Sequence, residues 1–366
     1  MPISRPISPP IGPLYDLAVD FPPPAAPGAA AVVTESSRGE RAARRPNFFL
    51  AGAMKAGTTS MHHYLAQHPD IFMSARKEPR YSGFVPDLDS GSTADGRYFT
   101  RDLGEYLDHF AGATDERIVG ESSHVYLHSV EAARLIRDFA PDARILIMLR
   151  DPVTSIHARH QQQVWIGRED ITDFAAALAA EDDRRAGRRL PPDAPYTRGL
   201  FYREACTMTP QVQRYLDVFG RERVLFELLE DLGSRPLAVY RRVLEFLAVE
   251  PDLVPSEMKV INANSELRSV TLQRTRTRLM PIEQAVRRVM PTRLFRVLSA
   301  PLRVVWDANK RQAPRSPMPP ELEAELTDYF APDVASLSEL IGRDLAAAWP
   351  RFREANSRAA VAGAAP

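Results

Sequence analysis

Short apolar runs alternate with longer amphipathic segments over most of the 366-residue chain. The runs "PNFFLAG" (46–52), "RILIMLR" (144–150) and "RVLFELLEDL" (223–232) contain few polar residues at their centres. Continuous apolar runs of this length are typical of parallel strands that are covered on both faces. The pattern therefore predicts at least three buried strands.

Amphipathic segments with helix start and stop signals follow or separate these strands. Pro152 stands in the first turn of one of them, and Ser129 begins another that ends before Pro141. The segments are "TTSMHHYLAQH" (58–68), "SVEAARLIRDFAPDA" (129–143), "PVTSIHARHQQQVW" (152–165), "RPLAVYRRVLEFLAV" (235–249) and a closing helical pair in "PPELEAELTDYFAPDVASLSELIGRDLAAAW" (319–349). This alternation predicts an α/β fold, a P-loop-like doubly wound parallel sheet flanked by helices.

Composition divides the chain into one domain and two tails. Residues 1–45 are rich in Pro and Ala and are predicted to be a disordered tail. The domain is predicted to span 46–350, and 351–366 to form a flexible C-terminal tail.

Charge and cysteine content narrow the functional classes. The chain has 47 basic and 47 acidic residues, so no overall field would draw it to nucleic acid. Cys206 is the one cysteine, which excludes an intrachain disulfide and fits a reducing compartment. No stretch approaches the roughly 20 apolar residues of a membrane span, and the N-terminus lacks a signal-peptide pattern. We predict a cytoplasmic protein.

The segment 268–315 breaks the charge balance, with twelve Lys or Arg residues against two acids. Its basic residues are interleaved with apolar ones in "LFRVLSAPLRVVW" (294–306). A lid-like segment of this kind predicts peripheral contact with an anionic membrane or a lipid-linked acceptor. Contact with a polyanionic glycan, or ordinary packing with a hydrated basic face, are the alternatives.

The segment "FFLAGAMKAGTTSMHHYL" (48–65) places a glycine turn between a strand and a helix. Gly52 and Gly57 allow the backbone to turn tightly, and the amides at Gly57, Thr58 and Thr59 would then point at an anion. The segment therefore predicts a phosphate-binding loop.

The lysine of this loop is not at the position that the lysine has in NTP-binding loops. Lys55 lies between the two glycines, and Thr58 follows Gly57 where a lysine would be expected. The strand "ILIMLR" ends in Arg150 and not in a magnesium-binding aspartate. A donor with one 5′ phosphate and a transferable group fits better, because it needs a cation at the bridging oxygen of the leaving group.

Further motifs accompany the loop in chain order. They are "FLAGAMKAGTTSMHHYLAQHPDI" (49–71), "RKEPRYSGF" (76–84), "GESSHVYL" (120–127), "LRDPVTSIHARH" (149–160), "RGLFYREACTMTPQVQRYLDVFGRERVLFELLEDL" (198–232) and "IGRDLAAAW" (341–349). Together they resemble the sulfotransferases that use 3′-phosphoadenylyl sulfate (PAPS), in particular the bacterial, heparan-sulfate-type branch. The resemblance runs from about residue 46 to 350.

This resemblance implies a role for each matching residue. Lys55 would be the catalytic lysine at the leaving group, and Glu78 the general base, provided that burial raises its pKa. Arg150 and, through a looser match, Arg268 would bind the 3′ phosphate. The 5′ phosphate would be bound by the loop and the start of its helix, at Gly52, Ala56, Gly57, Thr58, Thr59 and Ser60.

Three positions depart from the family pattern. Ala158 replaces the serine of the 3′-phosphate motif, and Ser155 replaces its inner arginine. The two arginines would then bind the 3′ phosphate without that hydroxyl, or the donor would bind more weakly. His124 replaces a proline and is a substrate contact, a second proton acceptor or a structural histidine. We predict no metal site, because His62 and His63 have no ligand spacing around them.

The sequence thus predicts a PAPS-dependent sulfotransferase that moves a sulfuryl group in line to a hydroxyl of a glycan, lipid or small metabolite. PAPS is the expected co-substrate. A P-loop small-molecule kinase and a catalytically impaired module that binds the desulfated product, PAP, are the alternatives. The oligomeric state is not predicted.

Overall fold

The computed structural model describes residues 44–96, 98–191, 194–258 and 317–353, together with short pieces between 265 and 312. The predicted tail at 1–45 lies almost entirely outside the described residues. Most of the basic segment 268–315 also lies outside them, including Arg268.

Five parallel strands form the main sheet, in the order β2-β3-β1-β4-β5. The strands are β1 (Phe48–Gly52), β2 (Ile71–Met73), β3 (Ile118–Ser122), β4 (Arg144–Leu149) and β5 (Val224–Leu228). Two further short strands, β6 (Ser265–Leu267) and β7 (Lys310–Gln312), pair antiparallel to each other.

Helices connect and flank the strands. In the described ranges they are α1 (Thr58–Leu65), α2 (Thr93–Gly96), α3 (Leu103–Asp108), α4 (Val125–His128), α5 (Ala132–Phe139), α6 (Pro152–Trp165), α7 (Phe174–Ala179), α8 (Glu181–Arg185), α9 (Tyr202–Cys206), α10 (Thr209–Phe219), α11 (Leu229–Ser234), α12 (Pro236–Leu247), α13 (Pro320–Ile341) and α14 (Leu345–Ala348). Single 3₁₀ turns lie at Ser82–Phe84, Thr197–Leu200 and Arg221–Arg223. The predicted α/β fold with a parallel sheet flanked by helices is confirmed.

Strand β1 lies at the centre of the sheet and is buried along its whole length. Leu50 pairs with Ser122 on one side and with Leu146 on the other. From β1 the chain runs to β2 and β3 on one side of the sheet and then to β4 and β5 on the other. Open α/β sheets bind ligands where the strand order reverses in this way.

Helix α6 shows how local sequence sets an element that borders this crevice. Pro152 occupies its first turn, where the missing N–H is not needed. The side chain of Asp151 accepts hydrogen bonds from the amides of Val153 (2.8 Å) and Thr154 (3.2 Å). The helix therefore begins directly after β4, as the sequence predicts.

Two strands of the sheet were not predicted. Strands β2 and β3 do not form apolar runs that the sequence pattern would show. Strand β2 has only three residues, and β3 contains Gly120, Glu121 and Ser122. At the C-terminal end of the described chain, the ring of Phe352 is fully buried in the core. In the part of the chain that the structure describes, no helix is long and apolar enough to cross a bilayer.

Gly120 tests how closely β3 packs on its neighbours. A Cβ atom there would lie 2.6 Å from Cδ1 of Phe48 and 2.8 Å from Sδ of Met73. We expect Gly120→Ala to lower the free energy of unfolding by about 1–3 kcal/mol, since a close-packed interior resists added volume. Urea unfolding monitored by circular dichroism gives this value.

Gly233→Ala is the matched control. It lies in α11, and a Cβ there meets nothing within 4 Å. This change should be neutral or stabilise by up to about 1 kcal/mol. Equal unfolding midpoints for the two variants would contradict the tight packing of β3.

Candidate functional site

The loop between β1 and α1 leads into a helix N-terminus that is suited to binding an anion. Gly57 caps α1 with a left-handed backbone (φ 85°), and a Cβ there would lie 2.8 Å from Cδ1 of Leu229. The helix has no capping side chain among the described residues and no acid in its first turn. Its first amides and the positive end of its dipole are therefore suited to a negatively charged group.

The predicted phosphate-binding residues are brought together at this terminus. Ala56 is fully buried, Thr58 and Ser60 are buried, and Thr59 is half-buried at the helix start. Gly52 ends β1 against Leu127, where a Cβ would lie 2.7 Å from the Leu127 Cβ. Glycine is therefore needed there for close packing.

Lys55 lies within the loop, in the left-handed region at φ 65°. This backbone conformation costs about 1 kcal/mol or more for a residue other than glycine, and it clusters at functional sites. The loop amide of Ala53 donates to the carbonyl of Met148 (2.7 Å), which ties the loop to β4. The main-chain position of Lys55 is thus set by the sheet.

Arg150 borders the loop on the β4 side. Its Nη1 donates to the carbonyl oxygen of Lys55 at 3.1 Å. Burial lowers the pKa of Arg150, and the charges of Glu230 and Asp151 oppose that effect. A guanidinium stays charged at neutral pH even when burial lowers its pKa, so the β4 side of the loop carries a fixed cation.

Glu78 borders the loop region on the β3 side and is also in the left-handed region, at φ 64°. Its carboxylate contacts Nζ of Lys77 (2.6 Å), Nε of Arg80 (3.3 Å) and Nδ1 of His124 (2.8 Å). Its amide donates to the carbonyl of Ser122 (2.9 Å), which attaches it to the end of β3.

The condition set for Glu78 as general base, a pKa raised by burial, is not met. Burial does raise this pKa, but His124, Lys77 and Arg80 outweigh burial and hold it well below its usual range. The sequence could not show this, because His124 lies 46 residues away and reaches Glu78 only through the fold. Glu78 is a stable carboxylate and therefore a weak proton acceptor by itself.

His124 precedes α4 and contacts the carboxylate of Glu78. Burial lowers its pKa to about 4, although Glu78 favours the protonated form, so the ring is neutral near pH 7. With Nδ1 at 2.8 Å from Glu78, the proton of the neutral ring belongs on Nδ1, facing the carboxylate. The other ring nitrogen, Nε2, is buried and has no hydrogen-bond partner among the described atoms.

A second buried carboxylate, Glu121 on β3, supports this arrangement and was not predicted as a site residue. It accepts hydrogen bonds from the hydroxyls of Tyr106 (2.8 Å), Tyr126 (2.8 Å) and Ser123 (2.7 Å). Burial raises its pKa to about 7, even though these three hydroxyls lower it. Its motif, "GESSHVYL", was visible in the sequence, but the partners were not.

Glu121 positions the backbone that follows Glu78. Ser123 Oγ accepts from the amide of Arg80 (3.1 Å), and the Tyr126 hydroxyl accepts from the amide of Tyr81 (3.1 Å). The two hydroxyls thus link Glu121 to the backbone amides of Arg80 and Tyr81, which follow Glu78 in the chain. A fully satisfied buried network of this kind makes local geometry rigid.

The departures from the family motif lie on α6. Ser155 and Ala158 are both buried, and Oγ of Ser155 has no partner among the described atoms. Arg268, predicted to share the 3′ phosphate with Arg150, lies outside the described residues. No group of three His, Cys, Asp or Glu side chains in the described ranges is placed to hold a metal ion.

Comparisons with known proteins agree with this geometry. A family model described as "Sulfotransferase family" matches residues 46–252. The crystal structure of a sulfotransferase from Alicyclobacillus acidocaldarius is 33% identical with a TM-score of 0.61, and the match covers 85% of this chain and 99% of that one.

Two curated relatives are more distant. A membrane-associated sulfotransferase, kil1, of Dictyostelium discoideum is 28% identical over 127 residues, which is 34% of this chain and 24% of the relative. Heparan sulfate glucosamine 3-O-sulfotransferase 6 of Homo sapiens is 25% identical over 234 residues, 61% of this chain and 58% of the relative. The chain therefore spans less than two thirds of the length of these relatives.

His62, behind the loop on α1, generates a prediction on acid stability. It is buried with Nδ1 at 2.9 Å from Oγ of Ser122, and burial, then the charges of Lys77 and His63, lower its pKa from 6.5 to about 3. Between these values the unfolded chain binds a proton that the folded chain does not. Stability should therefore fall as the pH drops below 6.5, by about 1.4 kcal/mol per pH unit from this group.

We expect His62→Gln to remove this share of the slope, since glutamine can still bond to Ser122 and does not titrate. Urea unfolding at pH 5, 6 and 7 measures the free energies for both proteins. An identical pH slope in the wild type and the variant would show that His62 is protonated in the folded state.

Proposed function

Because the chain belongs to the sulfotransferase family, we propose that it moves a sulfuryl group from PAPS to a hydroxyl acceptor. The observation that carries the proposal is the placement of Lys55. It lies on the loop that caps α1, with Arg150 on the β4 side and the Glu78–His124 pair on the β3 side. Candidate donor-binding and proton-accepting groups thus follow the ends of the two strands that flank β1.

In this proposal the loop and Arg150 bind the donor. The amides at the start of α1 bind the 5′ phosphate, together with the side chains of Thr58, Thr59 and Ser60. Arg150 binds the 3′ phosphate, for which its planar fork is suited, and Arg268 is a second candidate for that contact. Ala158 offers no hydroxyl to this phosphate.

The transfer step would proceed in line. The acceptor oxygen forms a bond to sulfur while the bond from sulfur to the bridging phosphate oxygen breaks. Negative charge then develops on the bridging oxygen of PAP, and the ammonium group of Lys55 stabilises it. The proton of the acceptor hydroxyl must pass to a base on the opposite side.

His124 is better suited than Glu78 to take that proton. Its Nε2 carries a lone pair and lacks a described partner, whereas both oxygens of Glu78 contact cations or donors. Glu78 would hold the Nδ1 proton and stabilise the imidazolium that forms, so that its role is positioning. The negative charge of a bound donor would raise the low pKa of His124 toward a useful range.

The acceptor and the cellular location remain part of the proposal. Glycan, lipid and small-metabolite hydroxyls are all compatible with the site as described. Segment 268–315 is our candidate for peripheral contact with anionic membranes or a lipid-linked acceptor, and the protein is proposed to be cytoplasmic. Radiolabelled-sulfate transfer from PAPS to a panel of these hydroxyls tests the reaction directly.

Calorimetric titration separates the alternatives. A sulfotransferase should bind PAP without magnesium, whereas a P-loop kinase should bind ATP only with Mg²⁺. A catalytically impaired module would bind PAP and give no labelled product with any acceptor.

Lys55→Ala should lower kcat by at least about 100-fold and leave the affinity for PAP nearly unchanged. The lysine acts on charge that appears only as the sulfuryl group departs, an effect of roughly 3 kcal/mol or more. Arg150→Ala is the contrasting variant, because loss of a phosphate contact should weaken PAP binding by roughly 2 kcal/mol. Near-normal kcat in Lys55→Ala would remove the lysine from the reaction.

His124→Ala should reduce kcat at pH 7 by about 10²–10⁴-fold, as expected when a general base is lost. Glu78→Gln should reduce it less, because glutamine can still accept the Nδ1 hydrogen bond. Since Glu78 raises the pKa of His124, Glu78→Gln should also move the acidic limb of the kcat profile to lower pH. A larger loss in Glu78→Gln than in His124→Ala would make Glu78 the base.

A further inference from the structure

Three buried arginines lie around the stacked rings of Tyr98 and Tyr196 beside the candidate site. Arg80, Arg159 and Arg168 are 8%, 3% and 7% exposed. Arg80 and Arg168 both stack on the ring of Tyr98, with guanidinium carbons 4.1 and 4.4 Å from the ring centroid. Tyr98 in turn stacks on Tyr196, at 5.4 Å between ring centroids. We name Arg80, Arg159 and Arg168 the arginine cluster.

Arg159 joins the cluster to the loop. From α6, its Nη1 lies 3.1 Å from Sδ of Met54, the residue before Lys55. Its Nε donates to the carbonyl of Gly199 (2.9 Å). The remaining nitrogen, Nη2, is buried and has no hydrogen-bond partner among the described atoms.

The cluster lacks the counter-charges that the chain provides for another buried arginine. Arg184 forms an ion pair with Glu169 at 2.7 Å, and both side chains are fully buried. Arg80 reaches only Glu78, at 3.3 Å, and within the described ranges neither Arg159 nor Arg168 forms an ion pair with a carboxylate.

The carboxylate of Asp95 already accepts hydrogen bonds from other residues. Asp95 acts on the charge of Arg168, but its oxygens accept hydrogen bonds from the amides of Tyr196 (2.6 Å) and Ser90 (2.8 Å). Burial accordingly lowers the pKa of Arg168 to about 10. The hydroxyls of Tyr98 and Tyr196 favour the charged forms of Arg168 and Arg159, and the pKa of Arg159 is raised in spite of its burial. Neutral hydroxyls do not balance a buried charge, so within the described ranges Arg159 and Arg168 still lack a carboxylate partner.

We propose that the arginine cluster binds an anionic group of the acceptor, a carboxylate or a sulfate or phosphate ester, next to the hydroxyl that is sulfated. This inference rests on the proposed function and specifies its substrate class. The cluster borders Met54, which precedes Lys55, and Glu78, which is a member of the Glu78–His124 pair. Arginine suits the ligand because its planar fork matches the oxygens of such anions.

A comparison of two methionine variants tests whether the cluster is a binding site or a structural element. Arg168→Met should leave the melting temperature of the ligand-free protein unchanged or raise it, because a buried unpaired charge is removed. Arg184→Met is the matched variant and should lower it by about 5 °C or more, since Glu169 is left unpaired. Equal losses in both variants would overturn the proposal.

Binding is tested by thermal unfolding with sodium sulfate or sodium acetate as the probe, against sodium chloride at equal ionic strength. Saturating PAP occupies the nucleotide site in every sample. One probe should raise the melting temperature of the wild type by about 3 °C over chloride at ten times its dissociation constant. The effective probe distinguishes an ester anion from a carboxylate.

Two variants then show whether the rise in melting temperature depends on the arginine cluster. The rise should vanish in Arg168→Met and persist in Arg134→Gln, which changes an exposed arginine on α5. An equal rise in Arg168→Met, or none in the wild type with either probe, would refute the inference. The shift caused by PAP alone is recorded separately, so that failure of the nucleotide site is distinguishable from failure of the arginine cluster.

Discussion

The arrangement of the site depends on the parallel pairing of β1 with strands on both of its sides. Because β1 pairs with β3 and β4 in parallel, the carboxyl ends of all three strands lie at one edge of the sheet. The loop with Lys55, the segment with His124 and the segment with Arg150 each begin at that edge. The carboxyl ends of adjacent parallel strands thus bring together residues that are up to 95 positions apart in the chain.

The sequence predicts the parts of this arrangement that have local signals. The loop after β1 is marked by its glycines. The start of α6 is marked by Pro152 and by the aspartate that caps the helix. Glu121 and Arg159 lie within recognisable motifs, but their roles have no local signal. The role of a buried carboxylate or arginine is recognised only from the side chains that the fold brings to it. The condition that burial raise the pKa of Glu78 fails for the same reason. Burial could be inferred from the motif, but the contact with His124 is made by the fold.

Some buried charged groups of this protein have partners that compensate them, and others do not. Arg184 and Glu169 compensate each other, and Glu121 is satisfied by three hydroxyls while burial raises its pKa to about 7. These groups hold backbone in place and need no ligand. The arginine cluster is not compensated in this way, and Arg159 keeps a buried nitrogen without a described partner. Functional sites often retain such local costs, which the surrounding packing must offset.

Arg80 connects the two halves of the proposed reaction. It contacts the carboxylate of Glu78 and stacks on Tyr98 within the arginine cluster. In the ligand-free protein its positive charge helps to lower the pKa values of both Glu78 and His124. An anion bound at the cluster would offset that charge, and the pKa of His124 would rise. The negative group of the acceptor would therefore strengthen the base that receives its proton, so that binding and proton transfer would be coupled by the charge of a single arginine.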